Sequence, residues 1–244
     1  MFRIELAGHS FAIDNTYSYV EELCQNYITK KEPEDVISVS PEEIARENED
    51  GGMWSAAYLE SLAVYRKICE KLLEDNILLF HCSAIELDGK AYLFTAPSGT
   101  GKSTHTRLWR EVFGNRVTMI NDDKPLVSIP KESLCDAACG DTISVYGTPY
   151  GGKDGLQTNK SAPVAAIVIL HQAKENTIER MDAKSAYPTL LNQTYRRKDP
   201  EGMIKTLELV GQLAKLPVYS LGCTISKDAV MLAYHTIAEG KEER

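Results

Sequence analysis

Apolar and polar residues alternate through residues 2–14 on both sides of a break at residues 7–10, which predicts a β-hairpin. Residues 16–28 read as a helix, residues 29–36 as a polar loop around Pro33, and residues 37–40 as a short strand. Pro41 follows Ser40 and precedes Glu42 and Glu43, the order expected where a helix begins. Residues 48–52 are polar and glycine-containing and read as a connector. The period then changes. Tyr58, Leu62, Tyr65, Ile68, Cys69 and Leu72 recur at helical spacing, which predicts a long amphipathic helix over 54–75.

From residue 76 the pattern becomes one of short apolar runs. Residues 77–87 read as one strand that turns at Asp88-Gly89 into a second over 90–95, since Asp-Gly between β-type runs is a hairpin signal. A helix is expected over 104–113 and a strand over 117–123 that ends in acids. Strands follow near 125–130 and 142–147, then a glycine-rich loop over 147–155 and an apolar strand over 165–170. Residues 185–197 and 200–215 read as helices, 218–221 as a strand, and 226–239 as a closing helix capped by Ser226. The layout is α/β. Residues 76–244 form a single core unit in this reading, and residues 1–75 are an N-terminal hairpin and helical segment packed on it.

Composition narrows the partners. The chain has 244 residues, 43% hydrophobic and 25% charged, as for an ordinary globular protein. A net charge of -8 argues against nucleic acid or an anionic membrane as the main partner. No apolar run approaches the ~20 residues of a membrane span, and the first residues carry no signal-peptide pattern, so a cytoplasmic protein is expected. The six cysteines, Cys24, Cys69, Cys82, Cys135, Cys139 and Cys223, form no Cys-x-x-Cys pair. They read as free thiols of a reducing compartment, and no zinc site is expected.

Residues 96–104, Ala-Pro-Ser-Gly-Thr-Gly-Lys-Ser-Thr, carry the sharpest chemical signal. They match the phosphate-binding pattern G-x-x-x-x-G-K-[ST], with Ala96 at the first glycine, between a predicted strand and a predicted helix. In such a loop the backbone N–H groups of Ser98, Gly99, Thr100, Gly101, Lys102, Ser103 and Thr104 curl around phosphate, aided by the helix N-terminus. Lys102 would reach the β- and γ-phosphates of ATP, and the Ser103 hydroxyl would bind Mg²⁺.

Three features converge with this loop. Asn121-Asp122-Asp123 ends a hydrophobic strand about 20 residues after Lys102. One acid at such a place holds Mg²⁺ and a second accepts the proton of an attacking hydroxyl. Adjacent acids on an extended strand point to opposite faces, so distinct roles are expected. His81 opens the hairpin that leads into the loop and is placed to orient an aspartate or to lie near the γ-phosphate. Residues 146–158 carry Gly147, Gly151, Gly152 and Gly155 around one cation, Lys153, which suits close backbone approach to a ligand. Lys153 and Arg196, the latter in a basic cluster at 196–198, are candidate acceptor contacts. Arg107 is placed to pair with Glu111 on its own helix.

The order of His81, the Ser98–Ser103 loop and Asp122-Asp123 resembles the HPr kinase/phosphorylase-like kinases, whose fold is shared with ATP-dependent phosphoenolpyruvate carboxykinase. The resemblance covers residues 77–130. It implies a mixed-sheet P-loop kinase core, ATP and Mg²⁺ as cofactors, and an oligomer. It implies that Asp122 is the base toward the acceptor hydroxyl, and that Asp123 and His81 support metal and proton placement. The Arg-Gly-Leu-Gly segment of the HPr-directed members is replaced by Val145-Tyr-Gly-Thr-Pro149, so the resemblance does not extend to HPr as acceptor. The expected function is transfer of the γ-phosphoryl group of ATP to a hydroxyl, on a serine of a protein or peptide or on a small molecule. The alternatives are a nucleotide-sensing module with little or no turnover, and a nucleoside or nucleotide kinase with Arg196 and Arg197 in a lid.

Overall fold

A computed structural model describes residues 1–48, 51–130 and 142–240. Cys135 and Cys139 lie outside the described residues. The chain divides into two compact units, Met1–Ile77 and Leu78–Arg244.

In the first unit, β1 (Phe2–Leu6) and β2 (His9–Asp14) form the expected antiparallel hairpin, with Phe2 opposite Ile13 and Leu6 opposite His9. Ala7 and Gly8 both take positive φ (50° and 88°), the turn that matches the twist of the strands. The helix expected over 16–28 is shorter: α1 spans Ser18–Leu23. Its start is fixed from a distance, because the buried Glu60 carboxylate accepts the N–H groups of Thr16 (2.7 Å) and Tyr17 (3.0 Å). β3 (Asp35–Ser38) begins before the predicted strand and runs parallel to β2. α2 (Pro41–Arg46) opens with a full capping box between Ser40 and Glu43. The long amphipathic helix is α3 (Ala56–Leu72), which buries Ala63, Val64, Ile68 and Leu72.

The second unit is built on a mixed sheet. β4 (Ile77–Leu79) spans the division between the units, and β5 (Ser83–Leu87) follows. Residues 77–87 are therefore two strands with different neighbours rather than one. The break falls where Phe80 donates its N–H to the Pro125 carbonyl (3.2 Å) and His81 donates to Gln193 (2.7 Å). β5 turns through Asp88 (φ 52°) and Gly89 (φ 79°) into β6 (Lys90–Thr95), and α4 (Lys102–Phe113) follows. β7 (Val117–Asn121), β8 (Leu126–Ser128), β9 (Ser144–Tyr146) and β10 (Ser161–Gln172) come next. β11 (Thr177–Met181) was not legible as a strand, because its side chains are mostly exposed and show no alternation. α5 (Ala183–Asn192), α6 (Pro200–Leu213), β12 (Val218–Cys223) and α7 (Lys227–Ile237), capped by Ser226, complete the unit.

Among the described residues the sheet has nine strands, with the path β4-β8-β9-β10-β6-β5-β7, β12 joined to β10 and β11 to β12. β10 is the hinge of this arrangement. Its first residues pair antiparallel with β9, and its apolar stretch runs parallel to β6 on one side and β12 on the other. β6, β10 and β12 thus point their carboxyl ends the same way, the end at which open α/β sheets bind ligands. On one face α4 and α7 bury Trp109, Val230 and Ala233 against Tyr92, Phe94, Ala166 and Val168. Trp109 is fully buried and stacks on Tyr92 with ring centroids 6.1 Å apart. This packing fixes the N-terminus of α4 at the end of β6. Among the described residues no helix is long and apolar enough to cross a membrane.

Candidate functional site

The chain leaves β6 at Thr95, crosses residues 96–101 and enters α4 at Lys102. Pro97, Ser98 and Gly99 are exposed although the flanking Thr95 and Ala96 are fully buried. The tight turn requires two glycines in left-handed backbone, Gly99 (φ 80°) and Gly101 (φ 116°). Thr100 closes the turn, donating its N–H (3.3 Å) and Oγ1 (2.9 Å) to the Pro97 carbonyl. Ser103 is exposed in the first turn of α4. Lys102 is buried, with 9% of its surface exposed, and its Nζ donates to the Ala96 carbonyl at 3.0 Å. Burial pushes its ammonium below the ordinary lysine value, while the carboxylates of Asp123 and Asp122 nearby pull it back up. The lysine is thus held within electrostatic reach of both aspartates.

The acids are placed differently from expectation. β7 ends at Asn121, so Asp122 and Asp123 lie past the strand and are not separated by its alternation. They sit in a turn made by Asn121, whose Oδ1 accepts the N–H groups of Asp123 and Lys124, both at 2.8 Å. Their surroundings differ nonetheless. Asp122 is buried and accepts the Ser83 hydroxyl on Oδ1 at 2.6 Å. Asp123 is about one-third exposed, with its Oδ1 3.1 Å from His81 Nε2 and its Oδ2 3.6 Å from Lys124 Nζ. Burial works to raise the Asp123 carboxyl. The His81 hydrogen bond and the charges of Lys124, His81 and Lys102 outweigh it and hold the group below the usual aspartate value.

His81 is fixed through its backbone. Its N–H donates to Gln193, and its carbonyl accepts the Thr95 hydroxyl (2.9 Å) at the last residue before the loop. Cys82 beside it is fully buried, and desolvation drives its thiol far up. It is neutral and inert among Lys102, Asp122 and Asp123.

The glycine-rich segment joins this group through contacts that no sequence motif announces. Asn121, fully buried, donates Nδ2 to the Thr148 carbonyl (3.1 Å) and Oγ1 (3.0 Å), with the Tyr150 carbonyl at 3.4 Å. Thr148 Oγ1 in turn donates to the Lys124 carbonyl at 2.8 Å. At the far end of the segment Thr158 donates its N–H to Ile120 (3.0 Å) and its hydroxyl to Met119 (2.9 Å). The segment passes so close to the acids that a side chain at Gly152 would meet Asp122 Oδ2 at 2.9 Å.

The site therefore gathers His81, Lys102, Asp122 and Asp123 at the end of the 96–101 turn. Lys153 lies on the glycine-rich segment and is exposed. Arg196 is exposed and follows a stretch past α5 whose residues 193–195 pair with residues 79–81, in a register that sets Gln193 beside His81. The helix expected over 185–197 ends at Asn192 because these residues turn to strand-like pairing. Arg107 pairs with Glu111 at 2.6 Å. His105 is structural: its Nε2 accepts the Trp109 indole N–H at 3.0 Å, and burial pushes its imidazole down to about 4. Ser83, Asn121 and Thr148 were missed as residues of this group, and Gly152 was singled out only as one of four glycines suited to close backbone approach. Only the adjacency of Asn121 to the aspartates and the glycine content near residue 152 pointed their way.

These features define an α/β protein with mixed sheets and a cationic turn facing paired acids. The chain matches over residues 48–227 the family described as SynChlorMet cassette protein ScmC, and it belongs to that family. No curated protein matches it. Among solved structures it is similar to "Structure of the Hpr(Ser) kinase/phosphatase from Coxiella burnetii". The identity is 10%, the match covers 66% of this chain and 94% of that one, and the TM-score is 0.34.

Proposed function

We propose that the protein is an ATP- and Mg²⁺-dependent phosphotransferase whose acceptor is a hydroxyl, on a serine of a protein or peptide or on a small molecule. The observation that carries this reading is the convergence of Lys102 with Asp122 and Asp123 at the head of α4. A plain glycine turn has no reason to bury a lysine within reach of two carboxylates.

The residues fit the cofactors. Of the three ammonium hydrogens of Lys102, one is taken by Ala96, and two remain for phosphate oxygens. The N–H groups of residues 98–104 other than that of Thr100, which the Pro97 carbonyl takes, would supply a cradle at a helix N-terminus. Among the described residues no three His, Cys, Asp or Glu side chains cluster to hold a metal by themselves. Mg²⁺ characteristically takes one or two protein ligands and completes its shell with phosphate and water. Ser103 and Asp123 are the residues that would hold it. When bound, it supplies charge neutralisation on the transferring phosphoryl group.

Asp122 is the base in this reading. Ser83 occupies Oδ1 and orients the carboxylate, which leaves Oδ2 to accept the proton of the attacking hydroxyl. His81 holds Asp123 through the 3.1 Å contact and thereby sets the metal side of the site. The test is transfer of label from γ-labelled ATP, with and without Mg²⁺, to protein and metabolite fractions of cell extract. Label moving with wild type and not with Lys102→Ala supports the reading. ATP bound tightly with no transfer would replace it with a nucleotide-sensing module.

A further inference from the structure

The segment from residue 147 to residue 158 reads in the sequence as a glycine-rich loop suited to close backbone approach, and its bonding ties it down. It is pinned at one end through Thr148 to Asn121 and Lys124, and at the other through Thr158 to Met119 and Ile120. Asn121 spends both ends of its amide on this arrangement: Oδ1 shapes the turn that carries Asp122 and Asp123, and Nδ2 holds the glycine-rich segment. One buried side chain therefore sets the distance between the acids and the segment facing them.

The glycine at residue 152 marks what that distance is for. The backbone there does not take positive φ, so no conformational demand excludes a side chain. What excludes one is Asp122. A Cβ at residue 152 would stand 2.9 Å from Oδ2, 3.2 Å from Asp122 Cβ and 3.3 Å from its Cγ. Oδ2 is the oxygen opposite the one that Ser83 holds. Asp122 as a whole is buried, and the absent methyl leaves room for one small group beside Oδ2, the oxygen that would receive a proton.

We infer that the Gly151-Gly152 backbone is the acceptor rim of the site: Gly152 keeps Asp122 Oδ2 open to an incoming alcohol, and Asn121, through Thr148, is the positioning residue that holds the rim there. The inference rests on the phosphotransfer reading and adds to it the side from which the hydroxyl arrives.

The test uses the full chain with γ-labelled MgATP and N-acetylserinamide as the probe alcohol, and reads label moved to the probe against phosphate released to water. Gly152→Ala lowers probe transfer about 30-fold more than it lowers hydrolysis, the scale of one methyl group placed in a fitted site, while MgATP titrates as in wild type. Thr148→Val, which keeps shape and removes the hydroxyl, raises the KM for the probe about tenfold, and Thr148→Ser restores it. Thermal unfolding of each variant separates a site effect from loss of the fold. An unchanged ratio of probe transfer to hydrolysis in folded Gly152→Ala overturns the inference and leaves the phosphotransfer reading standing. Failure of Thr148→Ser to restore the probe KM removes the positioning role. A wild type that binds MgATP yet neither hydrolyses it nor transfers overturns both.

Discussion

The two sides of the candidate site are built on opposite plans. The turn over residues 96–101 exposes Pro97, Ser98 and Gly99, bends through two left-handed glycines, and is closed by little more than Thr100 on Pro97. The acid turn and the segment facing it are tied together through Asn121 and Thr148, both fully buried. In the proposed function the first side would keep its backbone available for a nucleotide that arrives and leaves, and the second would be fixed in advance, as a base and its acceptor must be when catalysis depends on orientation. Lys102 belongs to the first side and touches the second electrostatically, so it couples the two.

The largest effect is expected where the two sides meet. Lys102→Ala should lower phosphoryl transfer about 10³-fold or more, the scale of losing a preorganised cation, and weaken MgATP binding, read by titration calorimetry. Unchanged nucleotide affinity would remove the 96–104 turn from the account.

Next is the support beneath the first side. His105 holds Trp109 and is buried with its imidazole pushed down to about 4 from an ordinary value of 6.5. Between those two pH values the unfolded chain binds the proton that the folded chain refuses. Stability is therefore full above about pH 6.5 and falls as the pH drops toward 4, by about 3 kcal/mol in all. Urea unfolding across that range measures it. His105→Gln keeps an acceptor for the Trp109 indole and should flatten the profile. A slope that survives the substitution assigns the titration to another group.

On the second side, Asp122→Asn should keep MgATP binding and lower transfer about 10²-fold, a general-base effect. Ser83→Ala frees the Asp122 carboxylate from its 2.6 Å partner without removing it, and a loss of about tenfold is expected. A Ser83→Ala effect as large as that of Asp122→Asn would mean that the serine, not the aspartate, is the group that matters.

The same contrast explains what the sequence disclosed. The 96–104 turn was legible because its parts are contiguous: a strand, left-handed glycines, a lysine and a helix start all fall within a dozen residues. Likewise the hairpins at Ala7-Gly8 and Asp88-Gly89 and the cap at Ser226 are local and are found where the pattern put them. The second side depends on contacts across long stretches of chain. Ser83 meets Asp122 39 residues away, and Asn121 meets Thr148 27 residues away. No periodicity encodes such pairs. The error at residues 77–87 has the same origin, since an apolar run does not reveal that its strand changes neighbours at His81. The acids were misplaced onto the strand because an Asx turn by Asn121 reads, in one dimension, like one more strand residue.

The most direct measurement of the central claim is single-turnover transfer from γ-labelled MgATP by wild type and Asp122→Asn, with nucleotide affinity measured on the same samples. The account predicts equal affinity and a rate about 10²-fold lower in the variant. Equal rates at equal affinity would contradict it, because Asp122 would then sit beside the chemistry without taking part in it.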